Sequence, residues 1–172
     1  MKMRHVLPLL GAALLTVATA NIPAFAANDF EPYGTAIDHS HIKYDGLKVV
    51  MDAGGSTPAD TAFQAMVAER IMQMPHAKLI MVIQGPVIKL FSKQAYMEHQ
   101  GLVERIAALR NKGVKIEFCG NSVHAAGLKP SDMIGIGTVV PGAYPALADA
   151  ELHGYALIKP MRLLPPPKAM KR

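Results

Sequence analysis

Apolar and polar positions along this chain fall into blocks that predict five short strands separated by helices. The strand blocks are almost continuously apolar, which is typical of strands buried on both faces of a parallel sheet. The predicted strands cover residues 47–52, 78–83, 114–119, 134–140 and 155–158, and the predicted helices cover residues 58–74, 101–112, 122–126 and 144–153. Strands alternating with helices predict an α/β fold with a mostly parallel five-stranded sheet that is covered on both faces.

The first helix has the clearest start signal in the sequence. Thr57 is suited to the N-cap, Pro58 to the first helical position and Asp60 to the first turn. We expect this helix to bury an apolar stripe formed by Met66, Val67, Ile71 and Met74. Before the second helix, residues 92–100 are polar and predict an irregular connection.

The N-terminus has the composition of an export signal. Lys2 and Arg4 precede an apolar stretch over residues 6–20, and a small-residue motif follows at residues 24–26. We therefore expect a signal peptide over residues 1–26 and a periplasmic location for the mature protein. An uncleaved membrane anchor is the alternative, although the apolar stretch is short for a membrane span.

Removing residues 1–26 from the 172 leaves 146, the usual size of a single domain. We predict an irregular N-terminal arm over residues 27–46, the domain over residues 47–160 and a Pro-rich basic tail over residues 161–172. The formal net charge falls from +5 to +3 with the two basic residues of the leader. Several remaining basic residues lie in the tail, so we expect neither nucleic acid nor a membrane as a partner of the mature domain.

Cys119 is the only cysteine, and it lies at the end of the third predicted strand. Without a second cysteine it cannot form an internal disulfide, so it acts as a thiol, a thiolate or an adduct. If a helix follows, the amides at its N-terminus favour the anionic sulfur and lower the pKa of the thiol. The alternative is a small buried hydrophobic residue, because free cysteine is among the most buried residue types.

The loops after the first three strands carry small and polar residues. Loops at the carboxyl ends of parallel strands converge on one edge of the sheet, where ligands bind. Besides Cys119 as the catalytic residue, the predicted binding residues are Gly120, Asn121, Ser122, Gln84, Gly85, Gly54 and Gly55. Ordinary turn glycines are the alternative at each glycine. A metal site at His39 and His41 is not favoured, and we expect no metal and no cofactor.

Four segments together resemble the DsrE/DsrF-like family, which is related to sulfur relay. They are residues 102–113, 117–122, 139–143 and 154–160, and the resemblance spans residues 48–160. It implies a three-layer α/β/α sandwich, assembly into a homo-oligomer, and a loop cysteine, here Cys119, that accepts and passes on sulfane sulfur. This chain has Gln84 where many relatives have histidine, so no acid or base is available at that position.

These observations lead to two functional hypotheses. The first is a periplasmic sulfane-sulfur carrier or sulfurtransferase-like protein in which Cys119 forms a persulfide, with Asn121 and Ser122 orienting it or capping the helix. Its partners are a sulfur donor or acceptor protein, or a small thiol. The second is a non-catalytic module for small-ligand binding or oligomeric assembly, with Cys119 buried and inert. The sequence leaves open whether the protein is an enzyme.

Overall fold

The computed structural model describes residues 35–161, and its centre is a five-stranded parallel sheet. The strands are β1 (Lys48–Gly54), β2 (Lys78–Gln84), β3 (Lys115–Cys119), β4 (Thr138–Val140) and β5 (Ala156–Ile158). Their order across the sheet is β4-β3-β2-β1-β5, and every neighbouring pair is parallel. The predicted α/β class and the five-stranded parallel sheet are confirmed.

Four α-helices connect the strands, together with two 3₁₀ helices. They are α1 (Pro58–Ile71), α2 (Tyr96–Asn111), α3 (Gly120–Ala125) and α4 (Ala143–Leu152), and the 3₁₀ helices are Pro86–Phe91 and Pro130–Asp132. Alternate residues of each strand point to opposite faces, so β1 buries Met51 under α1 and α2 and Val50 under α4. The helices thus form one layer on each side of the sheet, in a three-layer α/β/α sandwich.

Helix α1 begins as predicted but buries a different face. Thr57 and Asp60 form a reciprocal capping box at its N-terminus. The expected apolar stripe is wrong at Met66, which is exposed, and only partly right at Val67 and Met74, which are half-buried. The residues that face the core are mostly small, namely Thr61, Gln64, Ala65, Ala68 and Ile71. Their small side chains let the helix lie close to the sheet, which hydrophobicity alone does not reveal.

Two predicted boundaries are also wrong. Helix α2 starts at Tyr96, so the connection that was expected to be irregular over residues 92–100 is partly helical. His99 has non-helical dihedral angles (φ −119°, ψ 19°), so the helix is kinked within this segment. Strand β4 begins at Thr138 and not at residue 134, because the residues before Thr138 include one that bonds to the end of the first 3₁₀ helix. There, the amide of Ile134 donates to the carbonyl of Phe91 over 3.0 Å.

The chain divides into two units, of which the first ends at His41. Its described part, residues 35–41, is exposed, and the amide of Ser40 donates to Asp38 Oδ1 over 2.8 Å. The second unit contains the sheet and its helices. The predicted signal peptide, the first part of the predicted arm and all but the first residue of the predicted tail lie outside the described residues. Within residues 35–161 no helix is long and apolar enough to span a membrane.

Candidate functional site

Three loops meet at the carboxyl edge of the sheet through backbone hydrogen bonds. The amide of Val87 donates to the carbonyl of Gly55 over 3.3 Å, which links the loops after β1 and β2. The amide of Gly85 donates to Ser122 Oγ over 2.9 Å, which links β2 to the start of α3. The predicted convergence of these loops is therefore present in the structure.

Cys119 is the last residue of β3 and the N-cap of α3. The helix starts two residues earlier than predicted, directly after the sulfur. Cys119 is only 3% exposed and lies in a small apolar cluster with Val50, Val82 and Leu147. In the single chain the sulfur is therefore buried, as the alternative of a small buried hydrophobic residue requires. The side chains around it come from β1, β2 and α4, and the start of α4 contacts the sulfur directly.

One hydrogen bond to the Cys119 sulfur comes from α4, and donors at the start of α3 lie close enough to lower the pKa of the thiol. The amide of Ala143 at the start of α4 donates to Sγ over 3.2 Å. Burial alone raises the pKa of this thiol, but hydrogen bonds from Ser122 and from the amides of Ala143 and Asn121 outweigh it, so the net pKa is lowered. The thiolate therefore forms more readily here than in an ordinary cysteine, in spite of the burial.

Ser122 is held so that its hydroxyl proton is available to the sulfur. Its Oγ accepts the hydrogen bond from the Gly85 amide, and its hydroxyl interacts with the Cys119 sulfur. Because the Gly85 amide occupies an acceptor site of the oxygen, the hydroxyl is left to donate. Gly85 has a φ of 76°, a conformation that favours glycine. The Gln84-Gly85-Pro86 turn therefore positions a donor rather than supplying an acid or base.

Gly120 allows the loop before α4 to reach the cysteine. A Cβ atom at this residue would lie 2.7 Å from the carbonyl oxygen of Val140 and 3.1 Å from that of Pro141. A side chain here would therefore push the loop away and separate the Ala143 amide from the sulfur. Asn121, next along the chain, is exposed, and its backbone amide makes the smallest of the contributions that lower the pKa of Cys119.

Gln84 lies beside Cys119, one residue beyond the paired residues Ile83 and Phe118 of β2 and β3. Its Nε2 donates to Asp52 Oδ1 over 2.6 Å. Asp52 is only 5% exposed, and its other carboxylate oxygen lies 3.0 Å from Lys159 Nζ. Asp52 and Lys159 were not predicted as site residues, because their pairing depends on β1 and β5 being neighbours in the sheet.

Gly54 and Gly55 lie at the same edge but in a separate cavity. This cavity has a volume of about 370 Å³ and is also lined by Gln64, Pro160 and Met161. Gln64 Nε2 donates to the carbonyl of Gly54 over 2.6 Å, which fixes this turn against α1. The structure thus brings Gln84, Gly85, Asn121 and Ser122 together near Cys119, while Gly54 is paired with Gln84 and Gly55 lies against Gly85, on the far side of that group from the cysteine.

The described residues contain no cluster of three or more histidine, cysteine, aspartate or glutamate side chains able to hold a metal ion. The rings of His39 and His41 lie 6.1 Å apart, in the exposed segment before the domain. The backbone donor from Ala143 is the part of the site that the sequence analysis missed. A backbone amide carries no side-chain signal, and the approach of its loop depends on the sheet order.

The comparisons with known proteins agree with this architecture. The model of the DsrE/DsrF-like family matches residues 48–160. The chain belongs to the DsrE/DsrF-like family. This family is broadly linked to sulfur relay, and the resemblance noted from the sequence is thereby confirmed. No curated protein matches the chain.

Two solved structures are similar to this member of the DsrE/DsrF-like family. One is MTH1491, a protein of unknown function from Methanobacterium thermoautotrophicum, with 17% identity and a TM-score of 0.56 over 66% of this chain and 99% of that one. The other is the YchN protein from E. coli, with 17% identity and a TM-score of 0.44 over 66% of this chain and 98% of that one. At this identity, the likeness to MTH1491 supports the fold alone.

Proposed function

We propose that this protein is a sulfane-sulfur carrier, or a sulfurtransferase-like protein, in which Cys119 forms a persulfide. The observation that supports this most directly is the convergence of donors on one sulfur atom. A neutral thiol that serves only as core filling has no need of several N–H and O–H donors directed at it. A thiolate does, because burying an anion without hydrogen bonds is costly.

The reaction needs only one nucleophile. The Cys119 thiolate attacks the outer sulfur of a donor persulfide, R–S–SH, forming a new S–S bond while the donor S–S bond breaks. The products are the Cys119 persulfide and the donor thiolate R–S⁻, so no external oxidant or reductant is consumed. In the second step an acceptor thiolate attacks the outer sulfur of the persulfide and releases the Cys119 thiolate.

The surrounding groups stabilise charge and do not transfer protons. The donors from Ala143 and Ser122 stabilise the thiolate before the attack and again after transfer to the acceptor. Gln84, in the strand next to Cys119, has no acidic or basic group and is bonded to Asp52, and the leaving thiolate takes its proton from solvent.

The test is sulfur loading followed by intact-mass measurement. Purified protein incubated with polysulfide is expected to gain the mass of one sulfur atom, and the gain should reverse on addition of a small thiol. The Cys119→Ser variant is expected to gain nothing. A wild-type mass that stays unchanged under conditions in which a free thiol is converted to its persulfide refutes the carrier proposal.

The alternative, an inert cysteine in a binding or assembly module, gains some weight from the low exposure of Cys119. It predicts that native protein does not react with thiol reagents and that reactivity appears only on unfolding. The same loading experiment therefore separates the two functions.

The proposed location is the periplasm, with removal of residues 1–26. The support is the sequence pattern of the leader, described above. N-terminal sequencing of protein recovered from a periplasmic extract should begin at Ala27. Recovery of the uncleaved chain in the cytoplasmic fraction would overturn this location without affecting the chemistry at Cys119.

We also propose that the protein forms a homo-oligomer. The edge strand β5 and helix α4 carry large exposed apolar side chains, including Leu157, Tyr144 and Leu152. Exposed apolar surface of this kind is typical of protein interfaces. Light scattering during size-exclusion chromatography should give a mass that is a multiple of the chain mass, whereas a monomer at micromolar concentration would refute assembly.

A further inference from the structure

A second cavity lies on the face of the sheet that α4 covers, next to the apolar cluster around Cys119, although Cys119 itself does not line it. It has a volume of about 270 Å³ and is partly open to solvent. Val140, which is paired with Cys119 across β3 and β4, lines it, as does Gly142, the residue before the amide that donates to the sulfur. Ala146 and Ala150 also line the cavity and pack in the cluster around Cys119, so the two share a wall of small side chains.

Glu117 is one of the residues that line this cavity. It is 5% exposed and precedes Cys119 by two residues, so both side chains point to the same face of the sheet. Two residues of a strand span about 6.6 Å, which is the length of a small thiol. A molecule bound at Glu117 is therefore long enough to reach the wall that the cavity shares with Cys119, and transfer to the buried sulfur requires this wall to open.

The cavity has an excess of negative charge. Lys115 Nζ lies 2.6 Å from Glu117 Oε1, and this hydrogen bond raises the pKa of Lys115, which stays charged. A second carboxylate, Asp149, lines the same cavity and lies within 3.6 Å of His153 Nδ1. One lysine against two carboxylates attracts a positively charged group and repels dianions such as thiosulfate.

We propose that this cavity is the binding site for a small sulfur donor or acceptor that carries an ammonium group, that is, an aminothiol or its persulfide. This inference rests on the proposed function, since it assigns the substrate class of the same cysteine. The ammonium group lies against the carboxylates of Glu117 and Asp149, and the apolar wall from Val140 to Ala146 contacts the carbon chain. The Cys119 thiolate then attacks the outer sulfur of the aminothiol persulfide, the S–S bond of the donor breaks, and the free aminothiol leaves.

The first test compares two donors of equal chain length and opposite head-group charge, cysteamine persulfide and mercaptopropionate persulfide. The rate of sulfur loading of the protein by each donor is measured by intact mass. Each rate is divided by the rate of the same donor with urea-unfolded protein, which corrects for the difference in intrinsic reactivity between the two donors. For native protein we expect the cysteamine donor to be faster by about fivefold, the size of one partly exposed ion pair. Glu117→Gln should bring this ratio close to one.

Glu151→Gln is the matched control, because it removes the same charge from an exposed residue of α4 that does not line the cavity. It should keep the preference of the wild type. Equal loading by the two donors in native wild-type protein, or an unchanged preference in Glu117→Gln, overturns the aminothiol site while the carrier function stands. Absence of loading by either donor and by polysulfide refutes the carrier function itself.

A second test fills the cavity. Ala146→Phe places a large ring in the wall shared with Cys119, whereas Ala148→Phe makes the same change on the exposed side of α4. With both variants shown to be folded by circular dichroism, the first should load from cysteamine persulfide at least tenfold more slowly and the second at the wild-type rate. Equal rates for the two folded variants would exclude this cavity as the binding site.

Discussion

The Ser122→Ala substitution tests how the fold controls the Cys119 thiolate. The hydroxyl of Ser122 accepts from the Gly85 amide over 2.9 Å and interacts with the sulfur. A hydrogen bond to a charged group contributes roughly 1.5 kcal/mol or more, so its loss should reduce the thiolate fraction about tenfold at a pH below the pKa. The unpaired Gly85 amide should also lower the free energy of unfolding by about 1–2 kcal/mol.

The assay is the rate of alkylation of Cys119 by iodoacetamide as a function of pH. The midpoint for the wild type should lie below that of the same cysteine in the urea-unfolded chain, because the fold lowers the pKa of Cys119. In Ser122→Ala the midpoint should move upward, while the rate at high pH, where every molecule is a thiolate, should rise by about threefold at most, because a thiolate of higher pKa is the better nucleophile. Ser131→Ala, an exposed serine in the second 3₁₀ helix, should behave like the wild type.

The same lowered pKa has a consequence for stability. The thiolate form stabilises the folded state, so this contribution is fully present above the pKa of the unfolded chain and is lost as the pH falls through the folded pKa. The difference in unfolding free energy between wild type and Cys119→Ala should therefore grow as the pH rises through this range. A midpoint for the wild type at or above that of the unfolded chain, or one that Ser122→Ala leaves in place, refutes this account of the site.

Two further predictions concern the scaffold. Gly85→Ala should destabilise the protein by about 1–2 kcal/mol in urea unfolding, because the residue has a φ of 76° and its Cβ would lie 3.2 Å from the Gly55 carbonyl oxygen. Gly101 lies in open space on α2, so Gly101→Ala should not destabilise the protein. Equal losses of stability in the two variants would contradict the reasoning. Arg105 donates to both carboxylate oxygens of Glu69 over 2.6 Å, and these hydrogen bonds lower the pKa of Glu69. The ion pair therefore stabilises the fold above the pKa of glutamate in the unfolded chain. This stabilisation is lost as the pH falls through the pKa of Glu69 in the folded protein. Glu69→Gln should therefore cost up to about 1 kcal/mol at neutral pH and nothing in acid, and a cost independent of pH would argue against the ion pair.

Much of the fold could be predicted from the sequence because the central strands are buried on both faces. Strand β2 is apolar almost throughout, and the pattern alone gives its position to within one residue. The start of α1 could be predicted for a local reason, since its capping box lies within four consecutive residues. The buried face of α1 could not be predicted from hydrophobicity, because small residues such as Ala65 and Ala68 face the core and the larger Met66 is exposed.

The candidate site was predictable only in part. The sequence placed Cys119 at a strand end before a helix, which follows from local pattern. The donor from Ala143 lies 24 residues further along the chain and reaches the sulfur because β4 is paired with β3. The burial of Cys119 has the same origin, so neither the cover nor this donor could be deduced without the sheet order.

The reactivity of Cys119 in the folded protein is the central claim, and its rate of modification measures it most directly. The rate of sulfur loading of native protein is compared with the rate of global unfolding, obtained from denaturant-jump kinetics extrapolated to water. We expect loading to be faster than unfolding and to rise in proportion to the polysulfide concentration. Loading that never exceeds the unfolding rate, at any polysulfide concentration, would show that the sulfur reacts only when the fold is lost.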